Sequence, residues 1–220
     1  MNRKSILAFT AGVACTASLA LLIASGPEHE EHGNHDHDND MNHVTQPEAD
    51  EMMEMSPEDM MAMMNDFSTP GDHHKLLGKT IGNWKASASF IMDPSAPPME
   101  SVGSMETKWI LDGRFTQSVL KMDFMGQPFE GHAITGYSNP HSKYVSSWVD
   151  TMSTHITHMK GNTSEDGSLV MQGTSLTPMG ENPMKIVSSW IDDNTVQDKF
   201  YDKMPDGTWF NSGSITYTRK

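Results

Sequence analysis

Five histidines and six carboxylates crowd the stretch PEHEEHGNHDHDNDMNH, Pro27 to His43, and no positive charge interrupts them. Imidazole is the natural ligand of borderline metals such as Zn²⁺, Ni²⁺ and Cu²⁺, so His29, His32, His35, His37 and His43 are the candidate metal ligands. A structured zinc site needs fixed ligands and outer-shell partners that orient them. Residues 27–54 have low hydrophobicity, high charge and no periodicity, a composition that predicts disorder because no apolar burial offsets the entropy of ordering. Two readings follow: a weakly metal-binding linker carrying Zn, Ni or Cu, and a plain solvated tether.

A second group with chemistry is MSPEDMMAMMNDF, where Met60, Met63, Met64 and Phe67 fall on one face of a helix at spacings of three, four and seven. Thioethers on one face are soft ligands that select Cu(I); the same stripe also suits packing on a hydrophobic surface, where Met fills irregular gaps. His73 and His74 are neighbours on the next helix and diverge, so they make no chelating pair.

Asp150 and His155 form the third group. Brought within hydrogen-bond reach, an Asp and a His can act as a general base, which would make a hydrolase or isomerase. No Ser, Cys or Lys stands out as the nucleophile, and a bond that merely satisfies two polar groups on neighbouring strands is the other use of such a pair. No catalytic residue is assigned. With Tyr144 and Trp148 on the preceding strand, Asp150 and His155 make a candidate ligand site, joined by Arg114, which follows the tight Asp112-Gly113 turn and can meet an acidic head group or pair with Asp112 or Asp150.

Charge divides the chain. No Lys or Arg occurs between Lys4 and Lys75, while fourteen Asp or Glu lie between Glu28 and Asp72, so the formal −14 resides almost wholly in that segment. No basic stripe exists to neutralise phosphates, and nucleic-acid partners are excluded. Residues 1–26 place Arg3 and Lys4 before an uncharged, mostly apolar run from Ile6 to Gly26, which reads as a signal peptide or a membrane anchor. Membrane contact is expected only through residues 6–26, with the rest exported to the periplasm or cell surface. Cys15, the sole cysteine, follows Gly12-Val13-Ala14 and lacks the Leu three residues earlier that a lipid-modified cysteine usually has.

The elements that must position these groups follow from periodicity. Residues 55–82 carry two short helices: one starts at the Ser56 cap with Pro57 in its first turn, and the other is capped by Asp72, faces Leu77 and Ile81 inward and stops at Gly82. From residue 83 to 220 the pattern switches to period two, giving candidate strands at 83–93, 99–112, 114–124, 127–138, 142–152, 155–162, 168–176, 183–192, 195–202 and 208–219. Links as short as SNPH, SEDG and MPDG permit only antiparallel neighbours, and a meander this long avoids open edges by closing. The expected fold is all-β, an antiparallel up-and-down β-barrel of about ten strands. Pairing Tyr137 with Ser142 puts Phe129, Asp150 and His155 in one row and His132, Ser147 and His158 in another, on opposite faces. The first row is assigned to the lumen because Phe129, Ala133, Tyr137, Tyr144, Trp148 and Met152 share its face. Trp109 and Trp190 alternate with aliphatic neighbours and read as core.

The segments TPGDHHKLLGKTIGNW, FIMDPSAPP, ILDGRFTQ, MDFMGQPFEGHAITGY, KYVSSWVDTMST and SITYTRK resemble the bacterial domain-of-unknown-function family 1579, over about Pro70 to Lys220. The resemblance implies a calycin-like barrel, often exported, without an established activity. Gly82-Asn83-Trp84 also resembles the Gly-x-Trp motif with which lipocalins begin, where the Trp plugs one barrel end. Three function classes follow: a module binding a small apolar or amphipathic ligand, a structural or interaction domain of the cell envelope, and the Asp150/His155 enzyme. A lumen of about 300 Å³ or more favours the first; one filled by Trp and Met favours the second.

If the histidine stretch is a metal-binding tether, Zn²⁺ or Ni²⁺ will bind the residue 27–54 peptide and the full chain about equally in calorimetric titrations. Binding will fade below about pH 6, because coordination needs neutral imidazole, whose ordinary pKa is about 6.5. Retention of metal after all five histidines are changed to Gln would refute the assignment.

Overall fold

The period-two alternation that begins at Gly82 becomes ten antiparallel strands, seen in a computed structural model that describes residues 55–91 and 97–220. Segments 1–26 and 27–54, with the export and metal-ligand expectations they carry, lie outside the described residues. Among the described residues no helix is long and apolar enough to cross a membrane, and no group of three or more His, Cys, Asp or Glu could hold a metal.

The strands are β1 (Gly82–Phe90), β2 (Met99–Ile110), β3 (Phe115–Phe124), β4 (Gln127–Ser138), β5 (Lys143–Asp150), β6 (Thr157–Thr163), β7 (Leu169–Thr177), β8 (Gly180–Asp192), β9 (Thr195–Lys203) and β10 (Trp209–Arg219). Each pairs with its sequence neighbours, and β1 closes the barrel on β10 with Trp84 opposite Arg219 and Phe90 opposite Gly213. Strand β1 shows the alternation plainly: Trp84, Ala86, Ala88 and Phe90 are buried and face the lumen, whereas Asn83, Lys85 and Ser87 face water. Turn chemistry follows local sequence. Phe124 pairs with Gln127 across Met125 and Gly126, both at positive φ (55° and 78°), a two-residue loop that matches the strands' right-handed twist.

The register between β4 and β5 differs from the sequence reading by two residues: Tyr137 faces Tyr144, not Ser142. Ser142 has φ 50°, and its N–H donates to the Asn139 carbonyl at 3.2 Å, so it completes the turn and does not begin the strand. A slip of two preserves the face of every side chain, so Phe129, Ala133, Tyr137, Tyr144 and Trp148 do point inward. Between β5 and β6 the expected pairing holds, with Ser147 opposite His158 on the outer face.

Two helices precede the barrel. Helix α1 (Pro57–Ser68) is capped by Ser56, whose Oγ accepts the Asp59 N–H at 3.1 Å. Contrary to the packing expectation, α1 buries no residue, and Met60, Met63, Met64 and Phe67 are all exposed. It is tethered at its end instead, by Asn139 Nδ2, which donates to the Asp66 and Thr69 carbonyls at 2.8 and 2.9 Å. Helix α2 (Asp72–Gly78) is preceded by Gly71 as its cap, with Asp72 inside the first turn, because the His74 ring reaches back and its Nδ1 accepts the Gly71 N–H at 3.0 Å.

Helix α2 and its exit segment cover one barrel end. Leu77 is buried; the Tyr144 hydroxyl donates to the His73 carbonyl at 3.0 Å; the His73 ring stacks on Tyr137 at 4.2 Å. On the opposite rim, Trp84 Nε1 donates to the Thr80 carbonyl at 2.8 Å, and the Arg219 guanidinium lies 4.2 Å from the Trp84 ring while donating to the Ile81 and Lys79 carbonyls. At the other end Phe90 meets Phe124 and Phe200, the centroid of each 6.1 Å from its own. Trp190 is partly buried beside Trp84 as expected for core, but Trp109 stays 37% exposed: it sits at the rim, where its ring packs on Gly78 and only one side is covered.

Replacing Trp84 with Ala should cost roughly 3–5 kcal/mol of stability, as large-to-small changes at buried aromatics do, and should also expose the covered end. Chemical denaturation measures the first effect, and a loss under about 1 kcal/mol would show that the end is held by other contacts.

Candidate ligand site in the barrel lumen

Between the α2 cover and the phenylalanine cluster lies a cavity of about 220 Å³. Its walls are mainly apolar: Leu120, Met159, Met171, Ile186, Val196 and Ile215, with the indoles of Trp84, Trp148 and Trp190. Hydroxyls of Thr116, Ser118, Thr135, Ser146, Thr157 and Ser188 also face it. Leu76 and Gly167 belong to the lining and reach the surface, which marks the cover and the β6–β7 turn as the region nearest solvent.

Among the described residues of the lining, one is charged. Asp198 alternates inward between Val196 and Phe200 on β9 and stands opposite Ser188 of β8 and Ile215 of β10. Part of its surface is open, but the space it meets is the lumen and not bulk water. Loss of hydration pushes its carboxyl up to about 6, and a hydrogen bond with the Ser188 side chain opposes this only in part. Further down the same face Asp202 is buried and accepts from Asn182 Nδ2 at 3.0 Å.

The residues singled out in the sequence do not gather at one point. Alternation of turns along the meander puts Arg114, in the β2–β3 turn, at the α2 end, whereas Asp150 and His155 lie at the opposite end. Arg114 therefore cannot pair with Asp150; its Nη1 donates to the Leu111 carbonyl at 3.4 Å. Its charge also helps hold the imidazole of His74 below the ordinary histidine range, after burial, the largest cause. Tyr144 is buried under α2 and its hydroxyl holds the cover; burial raises its phenol. Of the five, Trp148 alone lines the cavity.

Asp150 faces inward as expected, but its carboxylate is committed. Oδ2 accepts from Trp148 Nε1 and Oδ1 from the Met152 N–H, each at 2.8 Å. His155 is exposed in the β5–β6 connection, outside any strand, because β6 begins only at Thr157. The hydrogen bonds of Asp150 thus position an indole, and the expected row with His155 does not form. Met152 is likewise exposed in that connection. The outer row is present in altered form: Ser147 Oγ and His158 Nδ1 are 3.0 Å apart, while His132 lies opposite Val149 and bonds Glu130 Oε1 at 2.7 Å.

Sequence reasoning passed over Asp198. The available signal was TVQDKF, in which a carboxylate takes the inward phase between Val196 and Phe200, a position where burial without compensation is costly.

No curated protein matches the chain. Among solved structures it is similar to an S-type phycobiliprotein lyase from Guillardia theta, at 9% identity and a TM-score of 0.48, over 67% of this chain and 92% of that one. The family model described as protein of unknown function (DUF1579) matches residues 69–219, a span that takes in α2 and all ten strands. The chain belongs to the DUF1579 family.

Proposed function

We propose that this protein is an exported, non-enzymatic binding module that holds one small apolar or amphipathic molecule in its barrel lumen. The observation that carries the reading is the cavity of about 220 Å³ between the α2 cover and the phenylalanine cluster, lined by aliphatic side chains and indoles with a few placed polar groups. Sites for drug-sized ligands usually run about 300–1,000 Å³, and this lumen is smaller because Trp84, Trp148, Trp190 and several Met side chains occupy its walls. An apolar cavity of about 150 Å³ still takes up benzene. The ligand is accordingly of one or two rings, or a short chain. The same narrowness favours the second reading, a structural or interaction domain of the envelope. Export is supported by the bases before, and acids after, the apolar run at residues 6–26.

Calorimetric titration of the purified full chain with neutral indole should show saturable binding at one site, since the cavity offers an apolar wall with three indoles. Ala133→Phe, which fills it, should weaken binding at least roughly tenfold with the fold intact by circular dichroism. Binding that ignores this change, or no binding at all, would favour the interaction-domain reading.

Fractionation of a tagged full-length protein addresses location. The domain should be recovered with the periplasm or cell surface, and a soluble cytoplasmic product retaining Met1 would contradict export.

A further inference from the structure

Among the described residues lining the cavity Asp198 alone is charged, and no Lys, Arg or His side chain joins it there. Its surroundings are otherwise those of a hydrophobic core, with Val196 and Phe200 beside it on β9, Ile215 opposite on β10, and Ile186 and Trp190 flanking Ser188 on β8. A carboxylate in such a place costs folding free energy unless it is paired, and hydroxyl hydrogen bonds do not balance its charge. A fold that needed only to fill its lumen would be better served there by Leu or Val. The cavity into which Asp198 opens has the room to supply the missing partner.

We propose that the lumen prefers small apolar amines, bound as ammonium ions whose N–H groups donate to the Asp198 carboxylate while the apolar body lies among the indoles. This rests on the lumen being the binding site and adds the ligand class. Three features act in one direction. An ammonium has up to three donors and no acceptor, which complements an acceptor-only carboxylate and the neighbouring Ser188 hydroxyl. Trp148, Trp190 and Tyr217 present aromatic surfaces in the same cavity, and aromatic faces attract cations. An anionic ligand meets the reverse: among the described lining residues there is no cationic side chain to receive it.

Charge-assisted bonds in a water-poor site favour the cation over a neutral isostere by at least about tenfold. Protonation of Asp198 removes that advantage, so selectivity belongs to pH values above about 6 and disappears below it. The titratable groups that share its face are Tyr217 of β10 and Asp202 further along β9, held by Asn182; among the described residues β8 and α2 present none to the cavity.

The experiment compares 2-phenylethylamine, 2-phenylethanol and 3-phenylpropionate by calorimetric titration of the full chain at pH 7.5 and pH 5. The proposal expects the amine to bind at least about tenfold more tightly than the alcohol at pH 7.5, the carboxylate to bind weakest, and the amine's advantage to be lost at pH 5. Asp198→Asn, nearly the same in shape, should bring the amine to the alcohol's level and leave the alcohol unchanged. Equal binding of amine and alcohol to the unaltered protein at pH 7.5 overturns the amine preference while leaving the lumen site standing. No binding of any of the three, together with no binding of indole, overturns both. The comparison on the unaltered protein decides the matter even if Asp198→Asn fails to fold.

Discussion

The contact on which the rest of this barrel depends is the stack of Arg219 on Trp84. These two residues face each other where β10 closes on β1, so the interaction lies on the seam that turns an open meander into a cylinder. A partly exposed guanidinium over an indole contributes about 1 kcal/mol, a modest part of the whole, but its geometry does more than its energy. The same guanidinium donates to the Lys79 and Ile81 carbonyls, and Trp84 donates to the Thr80 carbonyl. These carbonyls trail the end of α2, where a helix leaves acceptors unsatisfied. A cation there also faces the negative end of the helix. One residue pair therefore closes the sheet, satisfies the helix exit and brings α2 down over the lumen.

Once that end is set, the cavity is determined by what the walls allow. The far end is filled by the Phe90, Phe124 and Phe200 cluster, which leaves the middle of the barrel as unfilled space. Glycine decides how the β4–β5 wall is arranged. A Cβ at Gly131 would stand 2.1 Å from the Trp148 ring, so only glycine lets that indole lie across β4. Asp150 then fixes the ring through its Nε1. A carboxylate read in the sequence as a possible base turns out to orient an aromatic wall, and His155, which precedes β6, is left in solvent. Asp198, the one carboxylate among the described lining residues, has no cationic side chain beside it in the walls.

Much of this fold was legible in the residues. Strand β4 was bounded correctly at both ends, the other strands to within three residues, and closure followed from short links that forbid parallel neighbours. The motifs from Pro70 onward led to the family that the match over residues 69–219 bears out. Face assignment survived a wrong register because the slip was even; Ser142 took a left-handed conformation that its identity did not announce. The site was legible only in part. Trp148 was found by its size and inward phase. Tyr144 and Arg114 were grouped with it because sequence proximity and residue type do not reveal which barrel end a turn occupies. Asp198 was missed because its strand was read for its apolar residues alone. The exposed face of α1 illustrates the opposite error, an amphipathic stripe that finds no surface among the described residues to cover it.

The central claim is that the lumen is vacant apolar space able to admit a guest without rebuilding the barrel. Xenon tests this directly, since it enters dry apolar cavities and makes no hydrogen bonds. Under xenon pressure, methyl resonances of Leu120, Met159, Met171 and Ile215, which line the cavity, should shift progressively and saturate, with surface methyls such as Met179 unmoved. Lumen methyls that do not respond, or shifts spread evenly over the surface, would show that the barrel is filled by its own side chains.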